Sequence, residues 1–219
     1  ELSSGENIDT KTVIIATGAR WRELNVPGEK ENLGNGVAYC PHCDGPFFKD
    51  KDVAVVGGGN SGIEAALDLA GIVKKVTVLE FMPDLKADKI LIDKAEAKDN
   101  IEIIKNAQVK RVVSDQGKVT GLDYLDRNTT NQKNVDLDGI FVQIGLVPNS
   151  QFLVDVVELT SNGEIVVNEN GETSEKGIYA CGDVTTVPYK QIIISMGEGA
   201  KTALSVADYL MKTEDYDIE

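Results

Sequence analysis

Asp52-Val-Ala-Val-Val-Gly-Gly-Gly-Asn-Ser-Gly-Ile-Glu-Ala-Ala-Leu-Asp-Leu-Ala70, followed by Gly71-Ile-Val-Lys-Lys-Val-Thr-Val-Leu-Glu80, decides the fold. Residues 53–56 form a short continuous apolar run, the pattern of a strand buried on both faces. Ile63, Ala66, Leu67 and Ala70 then recur at helical spacing, and residues 76–79 make a second apolar strand. Strand, glycine turn, helix and strand together read as one βαβ unit. In the turn Gly57-x-Gly59-x-x-Gly62, the first glycine permits a tight bend, the second lets backbone approach a pyrophosphate, and the third lets helix pack on strand. A pyrophosphate placed there meets the free N–H groups of a helix N-terminus, where the helix dipole favours negative charge. Glu80 stands eighteen positions past Gly62, where a carboxylate accepts hydrogen bonds from a ribose 2′-hydroxyl and repels a 2′-phosphate. No arginine occurs in the next ten positions, so NADH is expected over NADPH. A glycine pattern alone is weak evidence; the flanking strands, the helix and the acid give this one its context.

Working outward, 12–20 reads as a buried strand ending at a glycine, and 24–38, polar with Gly and Pro, as a linker. A charged helix is expected over 87–98, then strands between 101 and 142 with a polar hairpin tip at 126–133. Residues 139–148 read as a strand entering a turn, 149–159 as a second crossover, 163–171 as a hairpin and 177–181 as a strand. A long helix is expected over 192–211, and 212–219 as a charged, frayed tail. The only tryptophan, Trp21, is expected to pack near the linker.

The chain has 219 residues, 42% apolar and 26% charged, with a formal net charge of −14. That charge argues against nucleic acid or an anionic membrane surface as partner. No apolar run is long enough to span a membrane and no signal peptide is visible, which makes a cytoplasmic protein the expectation. There is no initiating Met, and the chain reads as a piece of a longer polypeptide.

Cys40-Pro-His-Cys-Asp-Gly-Pro46 lies just before the βαβ unit. Of three cysteines in the chain, two are three positions apart, which in a reducing compartment suggests catalysis or metal binding more than a structural bridge. Zinc needs about four ligands, and His42 and the distant Cys181 do not complete a set, so no metal is expected. A thioredoxin-type site needs a long helix after the second cysteine, which Gly45 and Pro46 oppose. A buried structural pair remains open, as does a redox pair. For the redox pair, His42 would help lower one thiol's pKa, and Asp44 would either carry a proton or cap a helix. Cys181, in an apolar run, is expected to be an inert packed thiol.

The order Ala-Thr-Gly18, Cys40-x-x-Cys-Asp-Gly45, Gly57-Gly-Gly-Asn-Ser-Gly62, Gly182-Asp-Val184 resembles the low-molecular-weight thioredoxin reductase family. Three further stretches are similar to the flavoprotein subunits of alkyl hydroperoxide reductases: Asp68-Leu-Ala-Gly-Ile-Val73, Phe141-Val-Gln-Ile-Gly145 and Val187-Pro-Tyr-Lys-Gln-Ile-Ile-Ile194. The resemblance covers essentially the whole chain. It implies an α/β protein with a Rossmann-like NAD(H) domain, a three-layer arrangement around a parallel sheet, and part of an FAD domain. The implied division is 1–36 and 149–219 for the FAD domain and 37–148 for the NAD(H) domain with the cysteine pair.

On this resemblance Cys40, Cys43 and Asp44 are catalytic, with Cys43 facing the flavin and Cys40 attacking the next disulfide. Gly57, Gly59, Asn60, Ser61, Gly62 and Glu80 would bind NADH, and Gly182, Asp183, Lys190, Gln191 and Ile192 would bind FAD. Electrons would pass from NADH through FAD to the Cys40–Cys43 disulfide and on to a protein disulfide serving a peroxiredoxin. A domain rotation about linkers near Gly36 and Pro148 would connect the two halves of that cycle. The implied partners are a thioredoxin-like N-terminal domain, a peroxiredoxin and a second copy in a homodimer. The family's first FAD fingerprint, expected well upstream of Thr12, and that N-terminal domain are not in this sequence, which makes a C-terminal fragment the expectation. Two alternatives stand beside this: an NAD(H)-binding module without turnover, and an NADPH-dependent thioredoxin reductase, against which Glu80 and Cys-Pro-His-Cys argue.

Overall fold

A computed structural model describes residues 3–213. In chain order the elements are β1 (Val13–Ile15), β2 (Ala19–Trp21), β3 (Val37–Ala38), α1 (Pro41–Asp44), β4 (Asp52–Val56), α2 (Asn60–Ala70), β5 (Lys75–Leu79), α3 (Lys89–Glu96) and β6 (Ile101–Ile104). Then come β7 (Ala107–Asp115), β8 (Lys118–Asp126), β9 (Asn131–Asp136), β10 (Gly139–Val142), β11 (Leu146–Pro148), β12 (Ile178–Ala180) and α4 (Ile192–Lys212). Two compact units divide the chain: Trp21–Gly145, and Glu1–Arg20 with Leu146–Glu219.

The unit Trp21–Gly145 is built on a parallel five-stranded sheet in the order β3-β10-β4-β5-β6. β4 and β5 are apolar along nearly their whole length because both faces of the sheet are covered. On one face Ile63, Ala66 and Leu69 of α2, with Ala95 of α3, pack against Val53, Val55, Val76 and Val78. On the other face Ala54, Val56, Ile140 and Val142 meet Val109, Val112, Val119, Leu122 and Tyr124 from the antiparallel sheet β7-β8-β9. The result is three layers: helices, parallel sheet, antiparallel sheet. The fold is α/β, as the βαβ pattern predicts, and the expected 126–133 tip contains the turn 127–130 between β8 and β9, with 131–133 paired in β9.

Segment 24–38 is not a linker. Leu24 and Val26 pack on the core, and Val37 and Ala38 are buried sheet residues. The cause is Glu29, which is 1% exposed and whose carboxylate accepts hydrogen bonds from the backbone N–H of Leu24 (2.9 Å) and Asn25 (2.7 Å). This compact unit begins at Trp21, where the resemblance implies residue 37.

In the other unit β1 pairs in parallel with β12, and Ile15, Leu153, Val157, Ile165, Ala180 and Val184 form a small core. Only Ile15 of β1 is buried, so the expected buried strand over 12–20 is shorter and more exposed than its apolar sequence suggests. Asn149 stitches the unit's two segments: its N–H donates to Gly18, its side-chain amide to the Thr17 carbonyl, and its carbonyl accepts from the Thr17 hydroxyl. Segment 149–159, expected as a second crossover, holds a single 3-10 turn, Gln151–Leu153, and Asp155 follows it at φ 69°. The expected hairpin at 163–171 is not formed; Ile165 instead makes single bridges to Leu159 and Thr185. α4 runs to Lys212, the first residue of the expected tail, and residues 214–219 lie outside the described residues. Among the described residues no helix is long and apolar enough to cross a membrane.

Candidate redox and nucleotide-binding site

Cys40 and Cys43 are joined by a disulfide, their Cα atoms 5.2 Å apart. Cys40 precedes α1 and Cys43 lies within it, a helix of one turn that Pro41 opens at its first position, where a missing N–H costs nothing. Cys40 is the N-cap, and its Sγ accepts a hydrogen bond from Cys43 N–H at 3.2 Å. A 3-10 turn, Gly45–Phe48, replaces a continuing helix, in line with Gly45 and Pro46. A Cβ on Gly45 would lie 3.0 Å from Leu69 Cδ2 of α2. Cys43 is exposed, Cys40 and Asp44 half-buried. Asp44 makes no capping bond with its side chain, which leaves it available for other chemistry. His42 Nε2 lies 3.7 Å from Asp68 Oδ2 of α2, both exposed.

The residue before Cys40 is clamped from three sides. Tyr39 donates its phenol O–H to Glu29 (2.9 Å), its carbonyl accepts from Gln143 Nε2 (2.7 Å), and its ring stacks on Trp21 with centroids 5.9 Å apart. Burial, and then the Glu29 hydrogen bond, push the Tyr39 phenol well above its ordinary pKa. The sequence reading missed this clamp, since its members are far apart in the chain and a glutamate is rarely buried.

The glycine turn sits where β4 ends and α2 begins. Gly57 has φ 125°, and its N–H donates to Leu79 while β10 passes so close that a Cβ on Gly57 would lie 2.2 Å from Gln143 O. A Cβ on Gly62 would lie 2.0 Å from the Gly57 carbonyl oxygen, so this glycine lets helix and strand touch. Gly59 has nothing within 4 Å of where a Cβ would stand. These three surroundings match the three jobs of the fingerprint, and the first-turn N–H groups of α2 have no partner within the helix. Asn60 spends its side chain on Asp88, at the N-cap position of α3: Oδ1 accepts from Asp88 N–H (2.7 Å) and Nδ2 donates to Oδ2 (3.1 Å). Ser61 is exposed on the first turn of α2. Glu80, at the end of β5, accepts from Gly58 N–H at 2.6 Å and from Met82 N–H at 2.7 Å. The cysteine pair and the dinucleotide residues therefore belong to one compact unit.

The second group lies in the other unit. Gly182 (φ 75°) opens a 3-10 turn after β12. Asp183 Oδ1 accepts from Ser195 Oγ of α4 at 2.9 Å. Lys190 is engaged by Glu164 at 3.0 Å and by the Thr185 carbonyl. Gln191 is the N-cap residue of α4, and Ile192 is 84% exposed on its first turn. Cys181 is buried, and burial pushes its thiol pKa up, as an inert packed thiol requires.

The family profile Pyridine nucleotide-disulphide oxidoreductase matches residues 1–203. The chain is 58% identical to one of the subunits of alkyl hydroperoxide reductase in Pseudomonas putida, over 97% of this chain and 41% of that protein. It is 57% identical to a protein named NADH dehydrogenase in Bacillus subtilis, over 97% of this chain and 42% of that protein. Among solved structures, thioredoxin reductase from Streptococcus pyogenes superposes with a TM-score of 0.86 at 39% identity, over 92% of this chain and 66% of that one. The chain thus spans about two-fifths of the length of the curated relatives it matches.

Proposed function

Because the chain belongs to the pyridine nucleotide-disulphide oxidoreductase family, we propose that it is the dithiol- and NADH-bearing part of an NADH-dependent flavin disulfide reductase. The observation that carries this reading is the Cys40–Cys43 disulfide in the same compact unit as a complete dinucleotide turn with its acid. NADH supplies an electron pair, and FAD supplies the means to hand that pair to a disulfide.

In this chain the turn Gly57–Gly62 would bind the pyrophosphate and Glu80 the adenosine ribose, favouring NADH over NADPH. Asp183 would bind a flavin hydroxyl, and Gln191 and Ile192 would face the ring system at the start of α4. Two electrons and two protons convert the disulfide to a dithiol. Cys40 then attacks the outgoing protein disulfide while Cys43 closes on Cys40 to release the product dithiol, with Asp44 supplying or taking the proton. The final acceptor is a peroxiredoxin reached through a thioredoxin-like domain, with the alkyl hydroperoxide reductase relative as the support. A reducing cytosol is the setting in which such a close pair can cycle.

The same unit gives a second reading its support: with all the nucleotide residues inside Trp21–Gly145, the chain alone binds NADH without turnover. A visible spectrum of the purified chain with FAD added, followed by NADH and thiol counting, separates the two. Bound flavin and NADH-dependent appearance of two thiols, abolished in Cys43→Ser, supports the reductase. NADH binding with no flavin spectrum and no new thiols supports the binding module, and NADPH reducing the pair as well as NADH removes the cofactor assignment.

A further inference from the structure

The stretch of chain that leads into Cys40 is held between two jaws, and neither lies in the cysteine motif. One jaw is Gln143, a buried polar residue directly after β10. Its backbone is fixed on both sides: its N–H donates to Val56 O at 2.8 Å, and its carbonyl packs against Gly57. Its side-chain Nε2 donates at 2.7 Å to the carbonyl of Tyr39, the oxygen of the peptide bond that joins Tyr39 to Cys40. The other jaw is Glu29, which accepts the Tyr39 phenol O–H. The loop bearing Glu29 is docked on β7, where Pro27 O accepts from Val112 N–H at 2.9 Å and a Cβ on Gly28 would lie 2.3 Å from Val112 O. The backbone of Tyr39 is thus tied to the parallel sheet, and its side chain to the antiparallel sheet.

Cys43 is fixed by other means. It lies in α1, and the 3-10 turn that follows ends in Phe48, whose ring meets Phe141 of β10 edge-on with centroids 5.2 Å apart. Both cysteines therefore hang from one strand and its end, Cys43 through Phe48 and Phe141, Cys40 through Tyr39 and Gln143. Their Cα atoms stand 5.2 Å apart, within the span that a disulfide requires. Two thiols held within reach have a high effective concentration for each other, and a disulfide between them is stabilised accordingly.

We propose that Gln143, together with Glu29 acting through Tyr39, is a positioning residue for Cys40 that shifts the thiol–disulfide equilibrium of the Cys40–Cys43 pair toward the disulfide. A more stable disulfide makes the matching dithiol the stronger reductant, which suits a pair that must hand its electrons to another protein. The inference deepens the reductase reading proposed above, in which Cys40 is the attacking thiol.

The test equilibrates the chain with mixtures of glutathione and glutathione disulfide, without FAD or nucleotide. Protein thiols beyond that of Cys181 are then counted by alkylation and intact mass. In this exchange two glutathione thiols give up two electrons and two protons and close to glutathione disulfide, while the Cys40–Cys43 bond opens to two thiols. Gln143→Met keeps the length of the side chain and removes the donor. It should lower the equilibrium constant for closing the pair about fivefold, the scale of one hydrogen bond, which is about 20 mV. Tyr39→Phe, which releases only the Glu29 jaw, should lower it by less, and the double variant by more than either. Val76→Ala, a core truncation on β5 two strands from β10, should lower the urea midpoint and leave the constant at its wild-type value. Far-UV circular dichroism checks each fold, and Tyr39→Phe decides alone should Gln143→Met not fold. Wild-type constants in Gln143→Met and Tyr39→Phe overturn the inference, as does an equal shift in Val76→Ala, which would make the effect one of general stability. A wild-type pair that glutathione neither opens nor closes overturns the redox reading and this inference with it. Constants that move as expected in a chain that NADH and FAD do not reduce support the clamp and remove the reductase reading.

Discussion

Glu29 shows how much one side chain can organise around a reactive pair. Its carboxylate is buried and accepts three hydrogen bonds, two from backbone N–H groups and one from the Tyr39 phenol next to Cys40. Truncating it leaves buried donors without partners, so Glu29→Ala should destabilise the Trp21–Gly145 unit by about 2–4 kcal/mol, read by urea denaturation. Tyr39→Phe removes a single O–H and should cost about 1 kcal/mol. The raised Tyr39 pKa carries a sign: the folded state prefers the protonated phenol, so this contribution is complete below the ordinary value of 10.0 and fades as pH rises above it. Asp126 shows the opposite sign. Its bond to Lys133, at 2.8 Å, and the Asn128 and Thr129 N–H groups hold its carboxyl at about 2, below the usual 3.8. Its contribution is therefore full above 3.8 and lost as pH falls through about 2, which an NMR titration of the Asp126 carboxyl would follow. None of these partnerships was visible in the sequence, which shows local pattern and not the meeting of Glu29 with Tyr39 or of Tyr39 with Gln143.

At the scale of elements, local pattern was informative wherever one periodicity ran uninterrupted. The expected helix over 192–211 is α4, Ile192–Lys212, and the strand–turn–helix–strand at 52–80 is β4, α2 and β5. Where the chain is irregular, pattern was less informative: 24–38 looked polar and loose but is fastened by Glu29, and 149–159, expected as a crossover, holds only one 3-10 turn. The glycine turn gives a paired prediction that separates architecture from binding. Gly62→Ala puts a Cβ 2.0 Å from the Gly57 carbonyl oxygen, a rigid backbone neighbour, and should destabilise the unit by at least about 2 kcal/mol. Gly59 has ordinary backbone angles for any residue, φ −84° and ψ −177°, and empty space where the side chain would go. Gly59→Ala should therefore leave the melting temperature unchanged while weakening NADH binding by about tenfold, because the methyl stands where the pyrophosphate must approach. Thermal melts alongside NADH titrations of the two variants check both halves.

On the scale of the whole molecule, the two units are unequal in the core each owns. Both large apolar clusters lie inside Trp21–Gly145, on the two faces of one sheet, and that unit's ends meet through the hydrogen bond from Arg22 N–H to Gly145 O at 2.9 Å. Among the described residues the other unit has one cluster of six buried residues and carries Ile192, Ile193, Met196, Leu204 and Met211 with more than 60% of their surface exposed. Apolar burial is the main stabilising term, so the units should differ in stability, and the full chain should unfold in two steps rather than one. Trp21, the single tryptophan, stacks on Tyr39 of the better-packed unit, so its fluorescence reports that unit's surroundings. In a urea titration the far-UV circular dichroism should begin to fall, through loss of α4, before the Trp21 emission shifts. NADH should move only the Trp21 transition to higher urea, since a ligand stabilises the unit that binds it. Coincident circular dichroism and fluorescence curves, moved together by NADH, would show instead that the 219 residues unfold as one cooperative body.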